Sequence, residues 1–594
     1  MNLTSDNLQS GFSRTAVAGM LVALAGTAAL LKARSYDLWW HLETGRQLVG
    51  SHSIPRFDDY SFTSNGAPWI DHEWISQVLL YLFHAAAGPP GLVLLKAVCA
   101  LAVAVIGYAS LRRSGTAQGT ALGIVSLAML GLRFRLAERP ETLALPMAAG
   151  FAAMVMSFVS LPSSAAGAPG SRGPSNATPG LRLLGLALLT ILWANLHASA
   201  LLAPVLAAAV AAGSFIDSQI RPAGRRKALQ AGSGNALEAL GALWALGAFG
   251  VAAASLLVNP AGWKIYMVPL GISGALAPAN LVNPEWTAPS LAGFPFFYAA
   301  LAAAATTAIV SIIRRRRLSV ARAAVLLPAG LLALTSVRHI GLFFALVPMT
   351  IDTGGPTPSE RLNRSVQALG VGLLVAATSL MILVPPAGAQ TGIGISEDRF
   401  PLKAADFIDA NLADARLYND VSFGGYLIWR GYPRRRVFID GRNEVHATLL
   451  RELSEAIDDG RKWKALLARH AVEGAIVSYR DSPVAVRDAV SGAVTTSTFS
   501  EVHFPRPEWA LVYWDDVAMV FVNRVGRFKD LAERLEYRHS RPEAWRQDDA
   551  GTGIVGADPG VQDEIRRKLA EDAGCELAKR IARVYGVRPG TPTR

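Results

Sequence analysis

The sequence predicts an α-helical polytopic membrane protein of about eleven transmembrane helices that carries a C-terminal extracytoplasmic α/β domain. Three observations predict it. Of 594 residues, 51% are hydrophobic and 17% charged, with a mean hydropathy of +0.30, a balance that ordinary soluble domains rarely carry. The apolar residues concentrate before about residue 385, and the remainder reads as globular sequence. The excess of 57 Lys and Arg over 45 Asp and Glu, net charge +12, falls largely in short clusters between apolar stretches. In a soluble chain such an excess points to nucleic acid; here the positive-inside rule explains it. This pattern disfavours a simple cytosolic enzyme.

A bilayer core about 30 Å thick needs about 20 apolar residues of helix. Segments 13–32, 91–111, 116–132, 142–161, 181–196, 198–216, 238–258, 294–313, 318–336, 339–351 and 365–385 meet that need or approach it, the tenth being short enough to be tilted or re-entrant. Arg14 before the apolar run Thr15 to Leu31 resembles a secretory signal, but the hydrophobic stretches that follow favour an uncleaved anchor. With the N-terminus in the cytoplasm, the inner side holds Arg112 with Arg113, Arg172, Arg221 with Arg225, Arg226 and Lys227, Arg314 to Arg317, and Arg361 with Arg364. Residues 161–180, rich in Pro, Gly, Ser and Ala, then form a cytoplasmic linker. An odd number of crossings delivers the C-terminal region outside. The expected organisation is a membrane domain, 1–390, with a long first outer loop, 34–90, and an outer domain, 391–594.

In the outer domain, the runs 425–429, 436–439, 474–478 and 517–522 read as strands, and 449–457 and 463–470 as helices. The charged end, 561–584, reads as a helical solvated face. Cys99 lies in an apolar stretch and Cys575 in the polar tail, so no disulfide is expected.

The first outer loop carries the strongest chemical signal: Asp37, Trp39, Trp40 and His41, then Asp71, His72, Glu73 and Trp74 ahead of a helix. A carboxylate such as Asp37, placed where membrane meets water, ionises yet has its pKa tuned by apolar neighbours, as a general base requires. The plain alternative is a loop carboxylate. Trp39 and Trp40 read equally as membrane-interface anchors, and Asp71 as a helix cap. The functional reading gives Asp71 and Glu73 as further catalytic acids, supported by His41 and His72. A divalent metal, Mg or Mn, is a candidate cofactor with Asp37, Asp71 and Glu73 as its candidate ligands, although the spacing matches no closed zinc site.

Other polar residues collect at the same face under this topology: Arg133, Arg135, Glu138, Arg139 and Glu141; Asn195 and His197; Asn259, Asn283, Glu285 and Trp286; Arg338 and His339. Arginines outside run against the positive-inside bias and need partners. A phosphate is one natural partner, since guanidinium forks grip its oxygens bidentately, which makes Arg133, Arg135, Arg139 and Arg338 candidate phosphate ligands. Internal pairs, such as Arg139 with Glu141 or Glu285, are the alternative. Glu141, Asn195, His197, Glu285 and His339 join His41 and His72 as candidate substrate-binding residues.

An acid directly after the first span, a second acidic motif before the next membrane helix, many spans and an outer α/β domain resemble the GT-C superfamily of membrane glycosyltransferases, which includes protein mannosyltransferases, lipid A aminoarabinose transferases and oligosaccharyltransferases. In the tail, Tyr418-Asn419-Asp420, Gly424-Gly425-Tyr426-Leu427 and Phe438-Ile439-Asp440-Gly441-Arg442 are similar to segments of bacterial proteins of that superfamily. The chain departs from mannosyltransferases in having Leu38 after Asp37, where Glu is usual, and Asp71-His72-Glu73-Trp74 where they carry Pro-Pro-Leu. The resemblance implies a GT-C-like fold and transfer of a hexosyl or pentosyl unit from a polyprenyl-phosphate sugar to a lipid, polysaccharide or protein acceptor, with Asp37 as base and the lipid phosphate leaving toward the arginines. It also implies residence in a bacterial inner membrane. Asp440 and Arg442 are then candidates for acceptor contact or for a structural pair. A transporter of lipid-linked saccharides, or a non-catalytic protein of the same fold, is the alternative.

Overall fold

Each of the eleven apolar segments contains a helix in a computed structural model, which describes residues 12–159, 179–220, 234–268, 284–313, 319–351, 360–479, 484–487, 494–547 and 559–587. Helix α1 is Arg14–Ala29; α2, Leu38–Ser51, and α3, Trp74–Ala87, belong to the loop at 34–90. Then follow α4 Pro89–Arg113, α5 Gln118–Leu132, α6 Pro140–Val159, α7 Pro179–Leu196, α8 Leu202–Ile220, α9 Gly234–Leu256, α10 Pro295–Ile313, α11 Val320–Thr335, α12 Ile340–Thr350 and α13 Glu360–Leu383. Five stretches among the described residues are long and apolar enough to cross a membrane by length and composition: Pro89–Arg113, Pro140–Phe158, Pro179–Leu196, Ala198–Asp217 and Arg364–Leu383. Other apolar stretches, such as Leu243–Leu256 within α9 and Pro295–Thr307 within α10, are shorter. Leu94, Val98, Leu184, Leu188, Leu246, Leu331, Leu369 and Val375 stand exposed along these helices, an apolar surface that suits contact with hydrocarbon. The basic clusters at Arg172, Arg221 to Lys227 and Arg314 to Arg317, the side chain of Arg361, most of the 161–180 linker and Asn283 lie outside the described residues.

The tail comprises α14 Leu402–Asn411, β1 Leu417–Asn419, α15 Val421–Gly431, α16 Ala447–Ala456, α17 Gly460–Arg469, β2 Gly474–Ser478, the hairpin β3 Val484–Arg487 and β4 Val494–Ser497, α18 Phe499–His503, β5 Trp509–Trp514 and β6 Ala518–Asn523. Helices α19 Lys529–Leu535, α20 Pro542–Gln547, α21 Pro559–Glu571 and α22 Glu576–Val584 complete it. The main sheet has the order β1-β2-β6-β5, with β1 parallel to β2 and the other pairs antiparallel; Ile476 faces both Asn419 and Val520 across it. Alternation assigns its faces. Leu417, Ile476, Ala510, Val512, Val520 and Val522 join the hydrophobic cluster of the first outer loop, which includes Trp39, Trp40, Tyr60 and Trp69. Tyr418, Ala475, Val477, Leu511, Met519 and Phe521 face a second cluster formed with α16, α17, α21 and α22.

Two expected strands are not strands. The run 425–429 lies inside α15, because a short continuous apolar run fits a buried helix as well as a buried strand, and here Phe423, Tyr426, Leu427 and Ile428 bury one helix against the loop. The run 436–439 pairs with the first outer loop instead of the sheet: Phe62 donates its N–H to Val437 O at 3.0 Å, and Val437 returns one to Tyr60 O at 2.9 Å. The expected strands at 474–478 and 517–522 and the helices at 449–457 and 463–470 are present within a few residues, and 561–584 is helical apart from a break between α21 and α22. Cys99 and Cys575 are separate free thiols, both buried.

Candidate active site

The chain after α1 is pinned to the segment that follows α13. Ala33 N–H donates to Gly394 O at 2.8 Å and Lys32 N–H to Gln390 O at 2.9 Å, while Ser396 N–H reaches Ala33 O at 2.9 Å. From this fixed point the loop turns into α2, with Asp37 at its N-terminal boundary but making no capping hydrogen bond. Trp39 and Trp40 do not anchor a membrane interface. They are buried, Trp39 edge-on to Phe400 and Tyr426 at ring separations of 5.2 and 4.9 Å. The pair thus docks the loop on the outer domain, and Asp37, freed from capping, points at the junction.

Asp37 Oδ2 lies 3.3 Å from Arg139 Nη2. Arg139 also holds Ser35 Oγ at 2.7 Å and both oxygens of Glu285 at 2.7 and 2.9 Å. Glu285 reaches Arg135 at 3.3 Å, and Arg135 forks onto Glu141 at 3.1 and 2.6 Å. A continuous ion-pair chain therefore runs Asp37, Arg139, Glu285, Arg135, Glu141. The Asp37 side chain keeps 30% of its surface open, yet protein surrounds it. Burial pushes its carboxyl up, Arg139 opposes this, and Glu285 adds to it, leaving the group above the usual carboxylate range. The Trp40 indole N–H favours the ionised form without closing a direct hydrogen bond.

A second cluster surrounds Glu73. His72 Nε2 stands 3.4 Å and His197 Nε2 3.6 Å from Glu73 Oε1. Burial works against both charges of the His72–Glu73 pair, but their mutual attraction prevails, lifting the imidazole to about 9 and holding the carboxyl at about 2. Asn195 accepts from Trp74 Nε1 at 2.7 Å, and Asn259 donates to His72 O at 3.1 Å, fixing this group between α3 and α7. His41, buried and held neutral at about 3 chiefly by burial, feels both Glu73 and Arg139 and so lies between the clusters. Arg338 lies over the Trp286 ring at 4.3 Å and acts electrostatically on Glu141 and His197; His339 sits beside it.

Two predicted residues go elsewhere. Arg133 is buried and donates from Nη1 to Val384 O at 2.9 Å, at the end of α13. Glu138 pairs with Lys96 and accepts the Arg34 N–H at 3.1 Å, bracing the loop root. Asp71 does not cap α3. It is buried behind Glu73, with Oδ1 accepting from Gln77 Nε2 at 2.8 Å. The three candidate metal ligands do not fit a shared ion: Asp37 faces Arg139, Asp71 holds Gln77, Glu73 is flanked by two imidazoles, and among the described residues no three His, Cys, Asp or Glu side chains gather as a ligand set.

Burial pushes the Asp71 carboxyl up to about 7, with His72 opposing. The folded state then binds a proton that the unfolded chain releases near the ordinary aspartate value of about 3.9, so stability falls as pH rises between these values, by up to about 4 kcal/mol. Asp71→Asn keeps the shape and the Gln77 contact without the titration. Its melting temperature, followed in detergent from pH 5 to pH 8, is expected to overtake that of the parent progressively; parallel curves would show that Asp71 does not titrate there.

Sequence reasoning offered Asp440 and Arg442 of the tail, for acceptor contact or as a structural pair, and missed Glu444 and the closeness of Gly441 to Asp37. Glu444, open to solvent, acts electrostatically on His72 and Glu73. Gly441 faces Asp37 directly: a Cβ built on it would come under 3.0 Å from Asp37 Oδ1, with Trp40 Nε1 at 3.6 Å. Beside it, Asp440 and Arg442 form a structural pair. The Arg442 guanidinium, fully buried between the Tyr60 and Trp69 rings, donates to Asp440 Oδ1 and Oδ2 at 2.8 and 2.6 Å and to Asp58 Oδ1 at 2.6 Å. His446 joins Asp440 at 3.0 Å and Ser64 at 3.0 Å. Only proximity across about 400 residues of sequence makes these groups neighbours, although the Phe438-Ile439-Asp440-Gly441-Arg442 motif marked the place.

No family model and no curated protein matches the chain. Solved structures do. The oligosaccharyltransferase AglB from Archaeoglobus fulgidus, in complex with an inhibitory peptide and a dolichol-phosphate, superposes with a TM-score of 0.52 at 10% identity, covering 98% of this chain and 84% of that one. The apo form of the Archaeoglobus fulgidus oligosaccharyltransferase gives 0.53 at 9%, over 98% and 85%. Its complex with Zn and sulfate gives 0.51 at 11%, over 97% and 84%. At such identities the likeness is one of fold alone.

Proposed function

We propose that this protein is a membrane glycosyltransferase that moves a sugar from a polyprenyl-phosphate-linked donor to an acceptor on the extracytoplasmic face. The observation that carries the reading is the meeting of Asp37, Arg139 and Glu285 at a partly open junction between the first outer loop and the outer domain. Asp37 accepts the proton of an acceptor hydroxyl while that oxygen bonds to the anomeric carbon and the bond from this carbon to the phosphate oxygen breaks. Burial raises its proton affinity, and Arg139 favours the ionised form. The donor's isoprenoid chain stays among the apolar helix surfaces while its head enters the polar junction. The dolichol-phosphate bound to AglB supports a donor of this class. The N-terminus in the cytoplasm, eleven crossings and a hexosyl or pentosyl unit belong to the same proposal.

The arginines divide by their engagements. Arg135 and Arg139 are held by carboxylates and set the field of the site, whereas Arg338, resting on Trp286, is the guanidinium we assign to the departing lipid phosphate, with Arg133 farther along the α13 end. Arg338→Gln is expected to lower the rate of polyprenyl phosphate release in proteoliposomes by about 100-fold, Arg338→Lys by less, at unchanged melting temperature. Parent rates in both would take the phosphate away from Arg338.

The reading itself is tested by comparing envelope glycans of strains with and without the gene, and by following labelled sugar from a polyprenyl phosphate in proteoliposomes. A missing glycan residue and chemical release of polyprenyl phosphate support it. Movement of intact lipid-linked saccharide without bond cleavage would establish a transporter instead.

A further inference from the structure

We infer that Gly441, in the outer domain, is a positioning residue for Asp37, so that the catalytic base of the membrane domain takes its place from the tail. The inference rests on the proposed role of Asp37. It starts from a contrast between glycines of neighbouring motifs. A Cβ on Gly424 would run into backbone, under 3.0 Å from Ile439 O, and one on Gly425 would come within 2.6 Å of Tyr36 O. Backbone cannot step aside, so these two glycines permit α15 to dock and are needed by the fold. At Gly441 the obstacle is different: the nearest atom is Asp37 Oδ1, the far end of a side chain, the next are Asp37 Cγ at 3.5 Å and Trp40 Nε1 at 3.6 Å, and the backbone of Gly441 is not among those with positive φ. The fold therefore tolerates a side chain at 441, whereas the carboxylate does not.

The surroundings hold Gly441 in place. Asp440 and Arg442 on either side are locked to Asp58 and His446, and Asn419 grips the preceding turn, donating to Ile439 O at 2.7 Å and accepting from Phe438 N at 2.9 Å. A methyl group at 441 has nowhere to retreat, so Asp37 rotates away from the junction. Its Oδ2 then loses the 3.3 Å relation to Arg139, which sets both the aim of the base and its ionisation.

The test compares Gly441→Ala, Gly424→Ala and Asp37→Asn in full-length protein, using labelled polyprenyl-phosphate sugar in proteoliposomes. Gly441→Ala is expected to keep the parental melting temperature and donor KM, to lose roughly 10- to 100-fold in kcat, and to move the acid limb of the pH–rate profile. Gly424→Ala is expected to lower the melting temperature. Parent kcat and an unmoved acid limb in Gly441→Ala overturn the inference, as does a drop in melting temperature equal to that of Gly424→Ala, because the argument requires the carboxylate alone to yield. If Asp37→Asn transfers sugar normally, the assignment of the base fails, an outcome separate from the other two.

Discussion

Asp37→Asn is expected to reduce sugar transfer by about 10²- to 10⁴-fold, the range that a positioned general base contributes, while the protein folds and binds lipid as before. The structure gives reasons for both halves. Asn has nearly the shape of Asp, and Arg139 keeps its two bonds to Glu285 and one to Ser35, so no buried guanidinium loses all its partners. Removing an acid whose pKa burial has raised removes a group that gained nothing from being ionised there. The sign of the pH dependence follows. A base works deprotonated, so parental activity falls as pH drops through the Asp37 pKa, and burial places that fall above the ordinary range of an aspartate. Single-turnover transfer across pH 4 to 8 measures it. Unchanged turnover in Asp37→Asn would remove the base; loss of lipid binding together with transfer would make Asp37 structural.

The second large effect lies away from the chemistry. Arg442→Met leaves Asp440 and Asp58 enclosed without their shared counter-ion, a loss of about 3 to 5 kcal/mol. Burial works against the Asp440 carboxylate, and Arg442 and His446 nevertheless hold it well below the usual range. This contribution to stability is present above the unfolded pKa and is lost as pH falls through the folded one, so the parent resists mild acid. The variant is expected to melt well below the parent at pH 7. Adding Asp440→Asn and Asp58→Asn removes the stranded charges and is expected to recover part of the loss; no recovery would mean that packing against Tyr60 and Trp69 dominates.

The apolar helices were legible because their signal is length and apolarity, which the sequence carries locally, although only five stretches among the described residues are long and apolar enough to cross a membrane. Strands β2 and β6 were legible for a similar reason, as short buried runs rich in β-branched residues. Where an apolar run had two solutions, as at Gly425 to Trp429, packing decided and local pattern did not. The polar half of the site was visible through the odd placement of Arg135, Arg139 and Arg338, residues that need partners near a membrane. Their pairing was not, since Glu285 stands about 150 residues from Arg139. Helix α2 escaped notice because Trp39, Trp40 and His41 read as interface chemistry, and its buried face points at a domain whose arrival the loop sequence does not announce.

The shared cluster of Trp39, Trp40 and Tyr60 with Phe400 and Val520 has a temporal implication. The loop at 34–90 cannot cover its aromatic rings until partners made some 360 residues later emerge, roughly 20 to 70 s at ordinary ribosome speeds. During biogenesis this loop is a waiting client that a chaperone would have to shield, and a nascent chain cut short before Phe400 would display it permanently, as a mark for disposal.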